Sequence, residues 1–513
     1  MSSPHTRTPL GRLRTALVAA AVTSLAAAGA VAAPAQAAPK AQLGPTVVRT
    51  DVAPTGHSVT FRYEAPADVT QVRIVGEWWF KDPADVTSLN AGVAHTGADW
   101  KPGDILADPW HPIEMTKGAD GVWTFTTPLP SGTFRYAFTH DCTSNCTLIP
   151  DPVNPLEVWP HSEATGAVMS RVYVPNSNKF PTYDNDYQAP LAANKAGTLE
   201  QRWYTSPLST SPVGQHDVVV YLPKGYDANR ATPYPTLYLS HGGGGNATDW
   251  TVEGVAHQIL QNAINSGDAQ NMVIVSTDFN GLPGGNQGYA NELRNNVIPF
   301  IEATYNVSTE RDDRAFGGLS AGGARALTIL YDNPDLFGYV GAWGAATTTT
   351  ATDAQLEAAK TATGLHLATG LQDYLININA HSLARGNQWR AAGIDFTEFN
   401  INGMHVHDVW RQMLNHYIRT VAFKATSTEV TSATTPAGNS GNTKVTATAT
   451  VTTATTSVHA PTGKVEFYSG DQYLGSSPLK KDGTATYNGV IKGAVGPITA
   501  RFPGDKLYNA SQS

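Results

Sequence analysis

The chain has 513 residues, 41% of them hydrophobic and 15% charged, with a formal charge of −8 at neutral pH. That length exceeds one ordinary domain and supplies apolar residues for a sizeable core, which excludes wholesale disorder. The acidic balance excludes a nucleic-acid partner, whose phosphates need basic patches to neutralise them.

The N-terminus reads as a targeting segment. Arg7, Arg12 and Arg14 give a positive stretch, an Ala-rich apolar run follows from Ala16 to Ala33, and Ala35-Gln36-Ala37 is a small-residue cleavage pattern. Residues 1–37 therefore read as a Sec-type bacterial signal peptide, and the protein as secreted and extracellular. No other stretch is long and apolar enough to span a bilayer, so no membrane span is expected after signal removal.

Residues 45–178 read as an N-terminal β-sandwich. Ser58–Tyr63, Gly121–Thr127 and Thr133–Thr139 alternate in polarity, Val72–Val75 carries β-branched residues, and turn signals such as Pro128–Gly132 separate them. Trp78, Trp79, Trp100, Trp110, Trp123 and Trp159 fall here; core packing and an aromatic platform for sugar rings are both open readings. Cys142 and Cys146 are the only cysteines, and in an exported chain the C-x-x-x-C pair reads as a local disulfide, with free thiols as the alternative. Residues 179–197 read as a linker.

From 198 to 424 the pattern becomes α/β. Asp217–Leu222, Thr236–Ser240 and Met272–Ser276 are near-continuous apolar runs, as strands buried on both faces require. Helical periodicity alternates with them, in Leu293, Val297, Phe300 and Ile301, and again from Val409 to Val421. The expected core is a mainly parallel sheet with helices on both faces. Residues 425–513 are Thr-rich with clear alternation in Lys444–Val451, and read as a second small sandwich whose last strand is short.

The chemistry centres on Gly318-Leu319-Ser320-Ala321-Gly322, a G-x-S-x-G sequence. A short strand (Arg314 to Gly317) precedes it and a helix with Leu327, Leu330 and Tyr331 on one face follows, which is the strand-turn-helix setting that exposes a nucleophilic serine. A serine hydroxyl needs an adjacent base. His405, between the final strand and the final helix, is the candidate; His407 is its competitor. Asp373, at the C-terminal edge of the apolar strand that ends in Gly370, is the candidate acid, with Asp395 the rival; Asp353 and Asp408 read as solvated surface charges. The amides of Ala321 and of Gly243, in the turn His241–Gly245, are the candidate oxyanion donors. His405-Val406-His407-Asp408 invites a metal reading, but the metallohydrolase pattern needs Asp at 409, which is Val; no metal is assigned. The glycine turn lacks a following Gly-Lys-Ser/Thr, so it is no phosphate cradle, and no cofactor is expected.

Residues 198–424 resemble the esterase D-like family of α/β-hydrolases, which includes feruloyl and acetylxylan esterases, siderophore esterases and mycolyltransferases. The likeness rests on Leu237–Gly245 with Asp249-Trp250, Ile298–Glu302, Gly318–Gly323, Pro334–Phe337, Gly370–Asp373, and Gly403-Met404-His405 with Trp410-Arg411. It implies Ser320, Asp373 and His405 as triad and Gly243 and Ala321 as oxyanion donors. Where the family commonly has Trp two residues after the His, this chain has His407, which implies an altered pocket wall. The N-terminal segment resembles the immunoglobulin-like, carbohydrate-module-48-type domain found before some of these esterases, and residues 425–513 look like a bacterial Ig-like repeat, through Pro461–Phe467, Gly504-Asp505 and Tyr508. The resemblance implies a secreted serine carboxylic ester hydrolase acting on feruloyl or acetyl esters of polysaccharide, with the sandwich domains contacting polysaccharide or the cell surface. The alternatives are a siderophore (catecholate ester) esterase, an acyltransferase of the mycolyltransferase type and, from another class, a non-catalytic glycan-binding protein.

Overall fold

The computed structural model describes residues 42–107, 111–156, 169–180, 184–438, 441–456, 458–493 and 495–513. The signal-peptide reading of residues 1–37 lies outside them, as do Trp110 and Trp159.

The centre is one eight-stranded sheet: β1 (Thr198–Thr210), β2 (Val213–Leu222), β3 (Thr236–Ser240), β4 (Val273–Thr277), β5 (Arg314–Leu319), β6 (Tyr339–Trp343), β7 (Gly364–Gly370) and β8 (Thr397–Ile401). Their spatial order is 1-2-4-3-5-6-7-8, with β2 antiparallel to β1 and β4 and all later neighbours parallel. β3 to β6 are buried at every residue, which is why their sequences, Arg314 apart, are apolar or small runs.

Helices cover both faces, and chain order decides which. After β3 the chain steps towards β4 through α1 (Asp249–Val252) and α2 (Ala256–Asn265). It then jumps back over β3 to β5 through α3 (Gly285–Glu292) and α4 (Ile298–Thr304), and moves outward through α5 (Ala321–Asp332), α6 (Asp353–Ala359) and α7 (Ile378–Ala391). Right-handed crossovers in opposite directions put the two helix sets on opposite faces. Accordingly α3 to α7 share one core and α1 and α2 the other, which α8 (His407–Thr420) rejoins after β8. The reversal of direction between β3 and β5 opens a crevice at their C-terminal ends, where ligands bind in such sheets. The turn His241–Gly245 and Ser320 lie there.

The N-terminal residues form two antiparallel four-stranded sheets with strands at 44–49, 57–63, 123–128 and 116–117, and at 170–174, 132–140, 72–76 and 113–114. Trp78, Trp100 and Trp123 are buried in their core while Trp79 is half-buried, so three of the described tryptophans pack rather than form a platform. Cys142 and Cys146 are joined in a disulfide. The segment expected as a linker is anchored over its described part: Asn185 Nδ2 donates to Ser131 O (2.9 Å), Gln188 is buried, and Asn262 Nδ2 of α2 donates to Ala189 O (2.9 Å).

The C-terminal residues form a three-stranded and a four-stranded antiparallel sheet, ending in a two-residue strand at Ser511–Gln512. They dock at the opposite end of the central sheet from Ser320. Thr456 donates through its N–H (2.7 Å) and Oγ1 (2.8 Å) to Asp313, just before β5, and Thr455 Oγ1 lies 3.0 Å from Tyr339 Oη at the start of β6. Among the described residues no helix is long and apolar enough to cross a membrane.

Candidate active site

Ser320 occupies the turn between β5 and α5 with φ 53° and ψ −116°, a conformation that L-residues avoid. Close packing on both sides enforces the strain. A Cβ on Gly318 would lie 2.2 Å from Gly322 O, and one on Gly322 would lie 2.4 Å from Ser240 O. The two glycines of G-x-S-x-G thus let β5, α5 and β3 approach closely enough to hold the turn. Ser320 N–H is tied to Trp343 O (2.9 Å) and Ser320 O accepts from Ala346 N–H (2.9 Å).

The structure brings the three expected partners together. His405 Nε2 is 3.0 Å from Ser320 Oγ, and His405 Nδ1 is 2.7 Å from Asp373 Oδ2. An ionised Asp373 only accepts, so Nδ1 carries the proton and Nε2 is left to accept from the serine hydroxyl. Asp373 is buried just beyond the C-terminal end of β7, and His405 sits in the loop between β8 and α8. The rival Asp395 is exposed before β8.

The candidate oxyanion donors come from opposite sides of the serine. Ala321 is the first residue of α5, so its N–H has no intrahelical acceptor and points out at the positive end of the helix. Gly242 packs against the nucleophile, since a Cβ there would lie 3.2 Å from Ser320 Cβ. Its carbonyl accepts from His241 Nδ1 (2.6 Å) and from Gly245 N–H (3.3 Å). A planar trans peptide then directs the N–H of Gly243 the opposite way. That amide has no acceptor among the described residues.

His241 and its partners are residues that sequence reasoning missed. His241 is fully buried, with Nε2 2.9 Å from Asp278 Oδ1 and its ring stacked on Phe279 at 3.8 Å. Burial alone would raise the Asp278 pKa, but the hydrogen bond and charge of His241, with His216, bring it below the usual carboxylate value. Asn280 Nδ2 donates to Gly245 O (2.7 Å) and Trp250 Nε1 to Ser240 O (2.9 Å), so the glycine turn is braced at both ends.

His407, the competitor for the base, does not face Ser320. It is buried at the start of α8, with Nδ1 3.0 Å from Glu253 Oε2 and Nε2 3.7 Å from Asp249 Oδ2. Asp408 is not the solvated charge expected from the sequence. It is half-buried, and burial raises its pKa despite the opposing charge of Arg411. Glu77 of the N-terminal sandwich raises it further.

A serine on a strained strand-to-helix turn, a His–Asp pair within reach of it, and this strand order define an α/β-hydrolase site. Residues 209–421 match the family described as putative esterase, and residues 426–513 match the bacterial Ig-like domain (group 3). The first match falls on the eight-stranded sheet and its helices, and the second on the C-terminal sheets. Among curated proteins the chain is 33% identical over 156 residues to endo-1,4-beta-xylanase Y of Acetivibrio thermocellus, covering 28% of this chain and 14% of that protein. It is 29% identical over 243 residues to an endo-1,4-beta-xylanase/feruloyl esterase of Xylanibacter ruminicola, covering 45% and 31%. The chain thus spans less than a third of the length of either relative. Of solved structures, a ferulic acid esterase from Anaeromyces mucronatus aligns at 22% identity and TM-score 0.41, covering 46% of this chain and 94% of that one. The enterobactin esterase of Shigella flexneri aligns at 16% identity and TM-score 0.45, covering 74% and 96%.

Proposed function

We propose that the protein is an exported serine carboxylic ester hydrolase. Ser320 Oγ attacks the ester carbonyl while His405 takes its proton; the amides of Gly243 and Ala321 receive the developing oxyanion. His405 then protonates the departing alcohol, and water, activated by the same imidazole, releases the acid from the acyl-enzyme. Asp373 orients the imidazole and offsets its transient charge. The observation that carries this reading is the Ser320–His405–Asp373 chain of contacts, at 3.0 and 2.7 Å.

The acyl group is feruloyl or acetyl on polysaccharide. Support comes from the Xylanibacter ruminicola relative, whose name joins xylanase and feruloyl esterase in one protein. The Ig-like domain, docked away from the crevice, suits a tether rather than a pocket wall.

A fluorophosphonate probe and a panel of feruloyl, acetyl and catecholate esters test the proposal. The wild type takes up the probe and Ser320→Ala and His405→Ala do not, with hydrolysis reduced at least about 1,000-fold. Equal labelling of wild type and Ser320→Ala refutes the nucleophile. Turnover of catecholate esters alone refutes the polysaccharide assignment.

A further inference from the structure

His407 is buried at the start of α8, and the triad does not use it. Its surroundings join two domains. Arg135, on the strand 132–140 of the N-terminal sandwich, holds Glu77 of its own domain through Nη2 (3.0 Å) and pairs through Nη1 with Glu253, just beyond α1. Glu253 Oε2 accepts from His407 Nδ1 at 3.0 Å. The His407 ring stands edge-on to Trp410 (centroids 4.9 Å, 87° between planes), and the His405 ring stands edge-on to the same indole (4.8 Å, 89°). Trp410 is thus held between the two histidines.

Further contacts fix the same corner. Arg411 of α8 donates through Nε to Glu253 O (2.9 Å) and through Nη1 to Thr133 O of the sandwich (2.7 Å). Arg171 of the sandwich donates to Val252 O (2.7 Å). Val86 and Ile105 of the sandwich pack with Met404 and Tyr374, the immediate neighbours of His405 and Asp373.

We infer that His407 is a positioning residue through which the N-terminal sandwich, by Arg135 and Glu253, sets Trp410 and the catalytic loop at His405. This rests on the esterase reading given above. Glu253 and Asp249, from α1 and its end, face His407 directly; Arg135 of the sandwich and Arg411 of α8 act on the same Glu253, and Glu77 of the sandwich and Asp408 of α8 act on Arg411. The two carboxylates beside His407, Glu253 and Asp249, favour a proton on its ring. Burial alone pushes the His407 pKa down, but Glu253 and Asp249 raise it above the ordinary histidine value. A raised pKa means that the charged, holding form persists to higher pH than in an ordinary histidine and is lost as pH rises through the folded value.

The test uses the full exported chain and a small soluble ester, with the low-field Nδ1–H proton resonance of His405 as a readout that needs no turnover. Arg135→Met lowers kcat about 10- to 100-fold with KM within about twofold, because the loop is misplaced without losing a substrate contact. Arg135→Lys recovers part of the loss. His407→Gln still donates to Glu253 but has no proton to lose, so it lowers kcat and abolishes the alkaline fall of the wild-type kcat profile. In Arg135→Met the His405 resonance broadens or shifts. An unchanged resonance in that variant overturns the inference, as does wild-type kcat with an intact alkaline limb in His407→Gln. The two readings separate cleanly: a wild type that neither labels nor hydrolyses defeats the esterase assignment, while the resonance still reports on Arg135.

Discussion

His241→Ala separates the role of the oxyanion turn from that of the core. The substitution removes the 2.6 Å contact that holds Gly242 O and strands Asp278, whose carboxylate keeps the N–H of Asn280 at 2.7 Å. Breaking a buried pair costs about 3–5 kcal/mol; the surviving Asn280 contact and the nearby His216 place the cost at about 3 kcal/mol. For a domain of this size that lowers Tm by about 6–12 °C. The catalytic effect has a different ceiling. With only the longer Gly245 N–H contact (3.3 Å) left on Gly242 O, the Gly243 amide is poorly directed, and the loss of rate approaches the roughly 100- to 1,000-fold in kcat that losing one oxyanion donor costs. His241→Ala with Asp278→Ala removes the stranded carboxylate, so it regains stability but not rate. The assay is calorimetry beside kcat on a soluble ester. A single variant that melts lower but turns over at the wild-type rate refutes the argument, as does a double variant that regains both. The pH dependence has a definite sign. The Asp278 pKa is depressed on folding, so the pair stabilises above the unfolded carboxylate value and its contribution fades as pH falls through the folded value. The Tm gap between wild type and His241→Ala therefore narrows below about pH 4.

Gly318→Ala tests the elbow. Its Cβ would lie 2.2 Å from Gly322 O and 3.0 Å from Gly323 N, backbone atoms that cannot swing aside, so a loss of about 3 kcal/mol or more is expected in urea denaturation, with weaker phosphonate labelling. Lys424→Ala tests the far end of the sheet. Lys424 Nζ donates to Asp268 O (2.9 Å) and, across the domain boundary, to Lys506 O (3.1 Å) and Leu507 O (3.3 Å). Its loss, worth about 1 kcal/mol per bond, exposes the junction near 425 to limited proteolysis while turnover of soluble esters stays at the wild-type level.

Local pattern carried much of the site. The glycines around Ser320 are readable because only they allow the close approach of β5, α5 and β3, and His405 is readable because it falls between a strand and an amphipathic helix. Strands β3 and β4 announce themselves as buried runs. β1 was not legible: at Thr198–Thr210 its sequence is largely polar, because it is an outer strand with one antiparallel partner and mostly exposed or half-buried residues. β6 was not legible either, since its Gly341 sits under Trp343 and breaks any strand propensity.

The sequence by itself determined the domain chemistry along the chain: an export signal pattern, a β-rich segment, an α/β segment and a Thr-rich β segment, with a serine turn whose local geometry its neighbours dictate. Short-range physics suffices for these, because alternation, helical period and glycine packing act within a few residues. The tertiary structure alone decided which polar groups meet. His241 finds Asp278 at a separation of 37 residues, Arg135 finds Glu253 at 118, and Arg411 finds Thr133 at 278. No local pattern encodes such pairs. They exist because burial makes an unpaired charge costly, and only the assembled fold shows which partner removes that cost.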